Sequence, residues 1–167
     1  MIVMAALIAL TLAAAEPPSA EDRFALVITG APGGEAFVAT YATWERNLSN
    51  ALRDRLGFPA DHVLVLSGAN PEAEQSTQQN VRRALATLKT RMGRDDLLLV
   101  VLIGHGSLDE GQAKFNLVGP DLTSGDWAEL LREVPGRLVV VIIGSVNSGE
   151  MVACVDLGEP GSATPAP

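Results

Sequence analysis

The chain of 167 residues carries 12 Lys and Arg against 20 Asp and Glu, a formal net charge of −8. Its length supplies about one domain's worth of core and excludes two full α/β domains, while the negative balance disfavours attraction to phosphate backbones or anionic lipid. No nucleic-acid partner is expected. Apolar residues make up 47% of the chain and aromatic ones only 4%, so the core has to be built from Ala, Val, Leu and Ile, which suits strands covered by helices on both faces. The single cysteine, Cys154, excludes an internal disulfide and a cysteine-based metal site, and His62 and His105 make no metal motif. Neither a metal nor another cofactor is expected.

Residues 1–15 are apolar and uncharged, and Ala13-Ala14-Ala15 precedes Glu16-Pro17-Pro18. This reads as a signal peptide with a small-residue cleavage site, shorter than the roughly 20 residues of a membrane-spanning helix. A secreted or periplasmic protein is expected, with no membrane association beyond that segment. Residues 16–23 then read as a linker.

The run Phe24 to Thr29 predicts a buried strand that leaves through the loop Gly30-Ala31-Pro32-Gly33-Gly34. That loop lacks both the Walker lysine and GxGxxG spacing, so it is a poor phosphate cradle. From Ala36 to Leu56 the large residues Phe37, Tyr41, Trp44, Leu48, Leu52 and Leu56 recur at helical spacing and predict one apolar stripe ending at Gly57. His62, read as a surface histidine, opens a second short strand from Val63 to Leu66. Residues 69–75 read as a surface loop, and Ser76 with Gln79 has the form of a capping box. The helix that follows has Val81, Leu85, Leu88 and Met92 inward, with Arg82, Arg83, Lys89 and Arg91 on a solvated face.

Leu97 to Ile103 is an unbroken apolar run that fits a central parallel strand, ending at Gly104-His105-Gly106-Ser107. A short extended piece, Lys114 to Leu117, leads to the helix-capping sequence Thr123-Ser124-Gly125-Asp126. Trp127, Leu130, Leu131 and Val134 face inward on the helix, and Gly136 ends it. Leu138 to Ile143 predicts another strand buried on both faces, followed by Gly144-Ser145-Val146-Asn147-Ser148-Gly149; residues 157–167 are expected to be disordered. This alternation implies a mainly parallel α/β sheet with right-handed crossovers. Function is then expected where the loops after the strands converge, outside their carboxyl ends.

Two of those loops resemble the caspase-haemoglobinase clan, and within it the legumain-like cysteine peptidases and their bacterial relatives. The clan places its catalytic histidine in a His-Gly turn after one strand and its cysteine in a Cys-x-Ser-Gly turn after the next. The first matches as Gly104-His105-Gly106-Ser107 and the second as Val146-Asn147-Ser148-Gly149. Residues 114–123 also look like the connector of bacterial members, and the resemblance spans about Phe24 to Met151. It implies a caspase-like three-layer sandwich over residues 24–156, incomplete at its C-terminal end. Only Glu150 to Asp156 is left to begin the clan's next helix, and the strand Leu138 to Ile143 would keep an unpaired apolar edge.

The resemblance also implies His105 as general base and the N–H groups of Gly106 and Val146 as an oxyanion hole. Val146, however, stands where the nucleophilic cysteine belongs. Three readings follow. The chain is a proteolytically inactive homologue that binds a peptide or protein; or a hydrolase using Ser145, Ser148 or Cys154 with His105; or a non-enzymatic α/β module that binds a ligand at the same crevice.

Overall fold

The structure is a computed structural model that describes residues 21–109 and 111–145. The signal-like run 1–15, Val146, Ser148, Cys154 and the tail 157–167 lie outside the described residues. Ten elements follow one another: β1 (Arg23–Thr29), α1 (Glu35–Asn50), β2 (Val63–Ser67), β3 (Glu74–Gln75), α2 (Gln78–Arg91), β4 (Leu97–Asp109), β5 (Gln112–Phe115), β6 (Leu122–Thr123), α3 (Ser124–Arg132) and β7 (Arg137–Ser145).

Strands β3, β2, β1, β4 and β7 lie side by side in that order, each parallel to its neighbour. Leu26, Val100 and Val140 share one row across the middle of the sheet. On one face α2 and α3 cover Leu26, Ile28, Leu98, Val100 and Leu102 with Val81, Leu85, Leu88, Trp127 and Leu131. On the other, Tyr41 and Leu52 join Ala25, Val27, Val101 and Ile103. The result is the mixed α/β, mainly parallel three-layer arrangement implied by the sequence, with continuous apolar runs in β1 and β4, where the sheet is covered on both sides.

Strand β4 does not stop before Gly104 as expected. It runs on through His105 to Asp109, because its partner on one side changes from β1 to β5. The Gly30 N–H donates to the Ile103 carbonyl and the Asn116 N–H donates to the His105 carbonyl, so the ladder continues without a gap. His105 therefore sits in a strand and not in a turn.

Helix α1 also departs from its expected stripe. A short π-helical turn, Ala51–Arg55, extends it, and Gly57 with φ +67° follows. The buried positions are Tyr41, Glu45, Ser49 and Leu52, whereas Phe37, Trp44 and Leu56 are exposed. Glu45 can occupy the buried face because it accepts from the Thr29 hydroxyl, and with it and the small Ser49 turned inward the large side chains at positions 37 and 44 face outward.

Smaller differences have local causes. The cap of α2 is Thr77, whose side chain accepts from the Asn80 N–H; Ser76, expected to cap, is fully buried, and its main chain bridges Ser67 and Val118. The loop 69–75 contributes the two-residue strand β3 beside β2. His62 is half-buried, not a surface residue: its ring stacks on Phe24 at 4.1 Å, and Nδ1 lies 3.2 Å from the Arg23 carbonyl oxygen. Strand β7 is covered on one face only, and there partly: Leu138, Val140 and Ile142 pack half-buried against the core, whereas Val139, Val141 and Ile143 are exposed on the α1 side. α3 has the expected capping box of Thr123 and Asp126. The basic face of α2 pairs with acids: Arg82 with Asp126, Arg83 with Glu74, Lys89 with Glu133 and Arg91 with Asp61.

Candidate functional site

The carboxyl ends of β1, β2, β4 and β7 carry glycines, and these let the backbones approach closely. A Cβ at Gly144 would lie 2.3 Å from the Gly104 carbonyl oxygen, and one at Gly68 would lie 2.2 Å from that of Gly30. No side chain fits either position. Next to this glycine row, at one end, is His105.

The His105 ring is half-buried on the α1 side of the sheet. It meets Phe37 edge-on with centroids 5.0 Å apart and Tyr41 at 5.9 Å. The parallel register places the main chain of Ser145 beside that of His105, one position after the Gly104–Gly144 pair. Gly106 pairs with Phe115 on β5, and the Asn116 N–H to His105 carbonyl bond flanks that pair. The pair is thus of the non-hydrogen-bonded kind, so the Gly106 N–H points away from β5 and toward the β7 side. Ser107, one step on, donates from its hydroxyl to Asn116 Oδ1 at 2.9 Å.

Between α1 and β7 lies a groove of about 360 Å³, walled by Phe37, Tyr41 and Trp44 on one side and Ile143 on the other, with His105 at its margin. The three α1 rings form a row with centroids 6.0 Å apart at each step. Burial raises the Tyr41 pKa above its ordinary value, which keeps the phenol neutral across the physiological range.

A second polar cluster lies under α1, at the ends of β1 and β2. The Thr29 hydroxyl donates to Glu45 Oε2 at 2.8 Å and lies 2.9 Å from Ser67 Oγ, which accepts from the Ala69 and Asn70 N–H groups. Glu45 is only 4% exposed. The carboxylate is satisfied by a hydroxyl that itself belongs to a network closing the β2 turn, a condition for burying such a group.

Of the residues read from the sequence as site candidates, His105, Gly106 and Ser145 converge on the β4–β7 end, while Val146, Ser148 and Cys154 lie outside the described residues. Sequence reasoning missed the groove wall and Glu45. A signal for the network was present: β1 and β2 both end in a hydroxyl residue followed by glycine, Thr29-Gly30 and Ser67-Gly68. Among the described residues no group of three or more His, Cys, Asp or Glu side chains is placed to hold a metal ion.

No family model matches the chain. It is similar to Metacaspase-4 of Arabidopsis thaliana, with 29% identity over 133 residues that cover 72% of this chain and 32% of that protein. The chain thus spans about a third of the relative it matches. Together with the parallel sheet that pairs His105 with Ser145, this similarity supports a caspase-like α/β fold for the chain.

Proposed function

We propose that the chain is a caspase-like domain that binds an extended peptide at the carboxyl ends of β4 and β7 and does not cleave it by thiol chemistry. The observation that carries this reading is the groove that opens at His105, at the sheet end where α/β proteins hold their ligands. His105 contributes a polar edge to a mainly apolar site, and the resemblance to the clan assigns the N–H groups of Gly106 and Val146 to a peptide carbonyl. The sequence supplies no thiol at the motif position, because Val146 stands there and Cys154 follows eight residues later. The affiliation with the legumain-like branch rests on Gly104-His105-Gly106-Ser107 and Asn147-Ser148-Gly149, and export rests on the apolar run 1–15.

The test uses the purified chain with a mixed peptide library. Peptide retention in native mass spectrometry, its loss in His105→Ala, and no turnover or labelling by an epoxide thiol probe are the expected results. Turnover that disappears in Cys154→Ser would overturn the inactive reading.

A second reading has one observation in its favour: Ser145 is in register with His105. On that reading the Ser145 hydroxyl attacks and His105 takes its proton. Labelling by a fluorophosphonate that is lost in both Ser145→Ala and His105→Ala would establish it.

A further inference from the structure

Of the aromatic row on α1, Tyr41 belongs to the core. Phe37 is 43% exposed and Trp44 is 46% exposed, and with Glu45 turned to Thr29 they do not pack on the sheet. Instead they stand with Tyr41 along the groove, and Ile143 faces them at 43% exposure. Large apolar side chains held together at a surface mark a binding site more often than scattered ones do.

Resting on the peptide-binding reading above, we infer that the groove receives a neutral aromatic or large aliphatic side chain of the bound peptide, with Phe37, Tyr41 and Trp44 as its specificity determinants. Charge complementarity selects this occupant. The chain is acidic overall, yet among the described residues the groove is lined by no Asp, Glu, Lys or Arg. On the helix, Glu45 is turned the other way and bonded to Thr29, while Glu35 is exposed in the first turn and is not among the residues that line the groove. A guanidinium or carboxylate in this groove would shed water without gaining an opposite charge, which is unfavourable, whereas a benzyl or isobutyl group sheds only apolar hydration. The ring spacing also suits an aromatic guest. Phe37 and His105 meet edge to face, and the tilted and stacked 6.0 Å steps from Phe37 through Tyr41 to Trp44 make a continuous aromatic wall on which a further ring can pair.

The groove also continues into the proposed peptide site, because His105 borders both. A side chain in the groove thus brings its own backbone to the β4–β7 end. The specificity and the binding site are one surface.

The test titrates the full chain with three blocked peptides, acetyl-Ala-Phe-Ala-amide and its Arg and Asp counterparts, and follows the Trp44 indole N–H, the Ile143 methyl groups and the His105 ring by NMR. The Phe peptide is expected to shift all three saturably and to bind about tenfold tighter than either charged peptide. Trp44→Ala and, separately, Phe37→Ala are expected to remove most of that preference. Both side chains are exposed, so thermal unfolding should change little, and the Tyr41→Leu variant gives a third reading if one of these fails to fold. Equal or tighter binding of the Arg or Asp peptide, with His105 shifting, would overturn this inference and leave peptide binding standing. No shift of His105 with any of the three peptides would overturn both. Ile143 and Trp44 contacts to residues 146–167 that persist at saturating Phe peptide would also overturn the inference, since the groove would then be filled by the chain itself.

Discussion

His105 on β4 and Ser145 on β7 occupy paired positions of adjacent parallel strands. Neighbouring strands lie about 4.8 Å apart, so the main chain of Ser145 lies beside that of His105. In a Cys154→Ser background, Val146→Cys is expected to create a thiol that iodoacetamide alkylates at pH 6 about tenfold faster than an unperturbed cysteine, because an adjacent imidazolium favours the thiolate. Adding His105→Ala should return the rate to the ordinary value. Identical rates with and without the histidine would show that the two positions do not meet.

The Glu45 carboxylate is buried on the α1 face and accepts a hydrogen bond from the Thr29 hydroxyl. Thr29→Val keeps the shape of the side chain and removes the donor, so it should cost about 1–3 kcal/mol, the cost of leaving a buried polar group unsatisfied. Glu45→Gln keeps an acceptor for that hydroxyl and removes the charge, and should cost less. Urea unfolding of the two variants gives the comparison. If Thr29→Val were as stable as the parent, water and not threonine would be satisfying the carboxylate.

Much of the fold was legible because its signals are local and repeated. Leu97 to Ile103 and Leu138 to Ile143 are apolar without interruption, and the stripe Val81, Leu85, Leu88 and Met92 is buried as its spacing implies. The capping box at Thr123 and Asp126 marks the start of α3 in both sequence and structure. What was not legible depends on contacts between distant segments. The continuation of β4 past Gly104 requires β5, which is contributed from residues 112–115. The outward turn of Phe37 and Trp44 depends on Glu45 meeting Thr29, a pairing across 16 residues that hydrophobic spacing does not encode. Likewise, the exposure of Val139, Val141 and Ile143 reflects what covers the sheet, not what the strand is made of. Of the candidate site, the position of His105 just after the apolar run of its strand was readable, but not the continuation of that strand through it. The aromatic groove beside it was hidden, since its residues look like an ordinary core stripe.

Asp126 offers a prediction with a defined pH sign. The Thr123 hydroxyl, then the Thr123 N–H and the Arg82 guanidinium, hold its carboxyl below the usual carboxylate range against the opposing effect of burial. A depressed folded-state value means that the stabilisation is present above the unfolded value, about 3.9, and is lost as pH falls through the folded one. At pH 7, Asp126→Ala is expected to destabilise the protein by about 1 kcal/mol through loss of the reciprocal cap. The gap between parent and variant should narrow below about pH 4. A gap that stays constant down to pH 2 would mean that the carboxylate charge has no part in capping α3.

The two faces of β7 should respond oppositely to the same substitution. Val140 packs against the cluster beneath α2 and α3, while Val141, the next residue, is 40% exposed between Val139 and Ile143. An exposed apolar strand invites association with other chains, and a lysine on it opposes that. Val141→Lys is therefore expected to reduce concentration-dependent light scattering of the purified chain while changing stability by no more than about 0.5 kcal/mol. Val140→Lys places a charge over an apolar cluster and should destabilise by at least about 2 kcal/mol. The contrast rests on the alternation of side chains along a strand, so it also tests the register of β7 against β4: a one-residue slip exchanges the two outcomes. Strong destabilisation by Val141→Lys together with tolerance of Val140→Lys would show that the strand is seated the other way, and Ile143 would then leave the groove wall opposite Trp44.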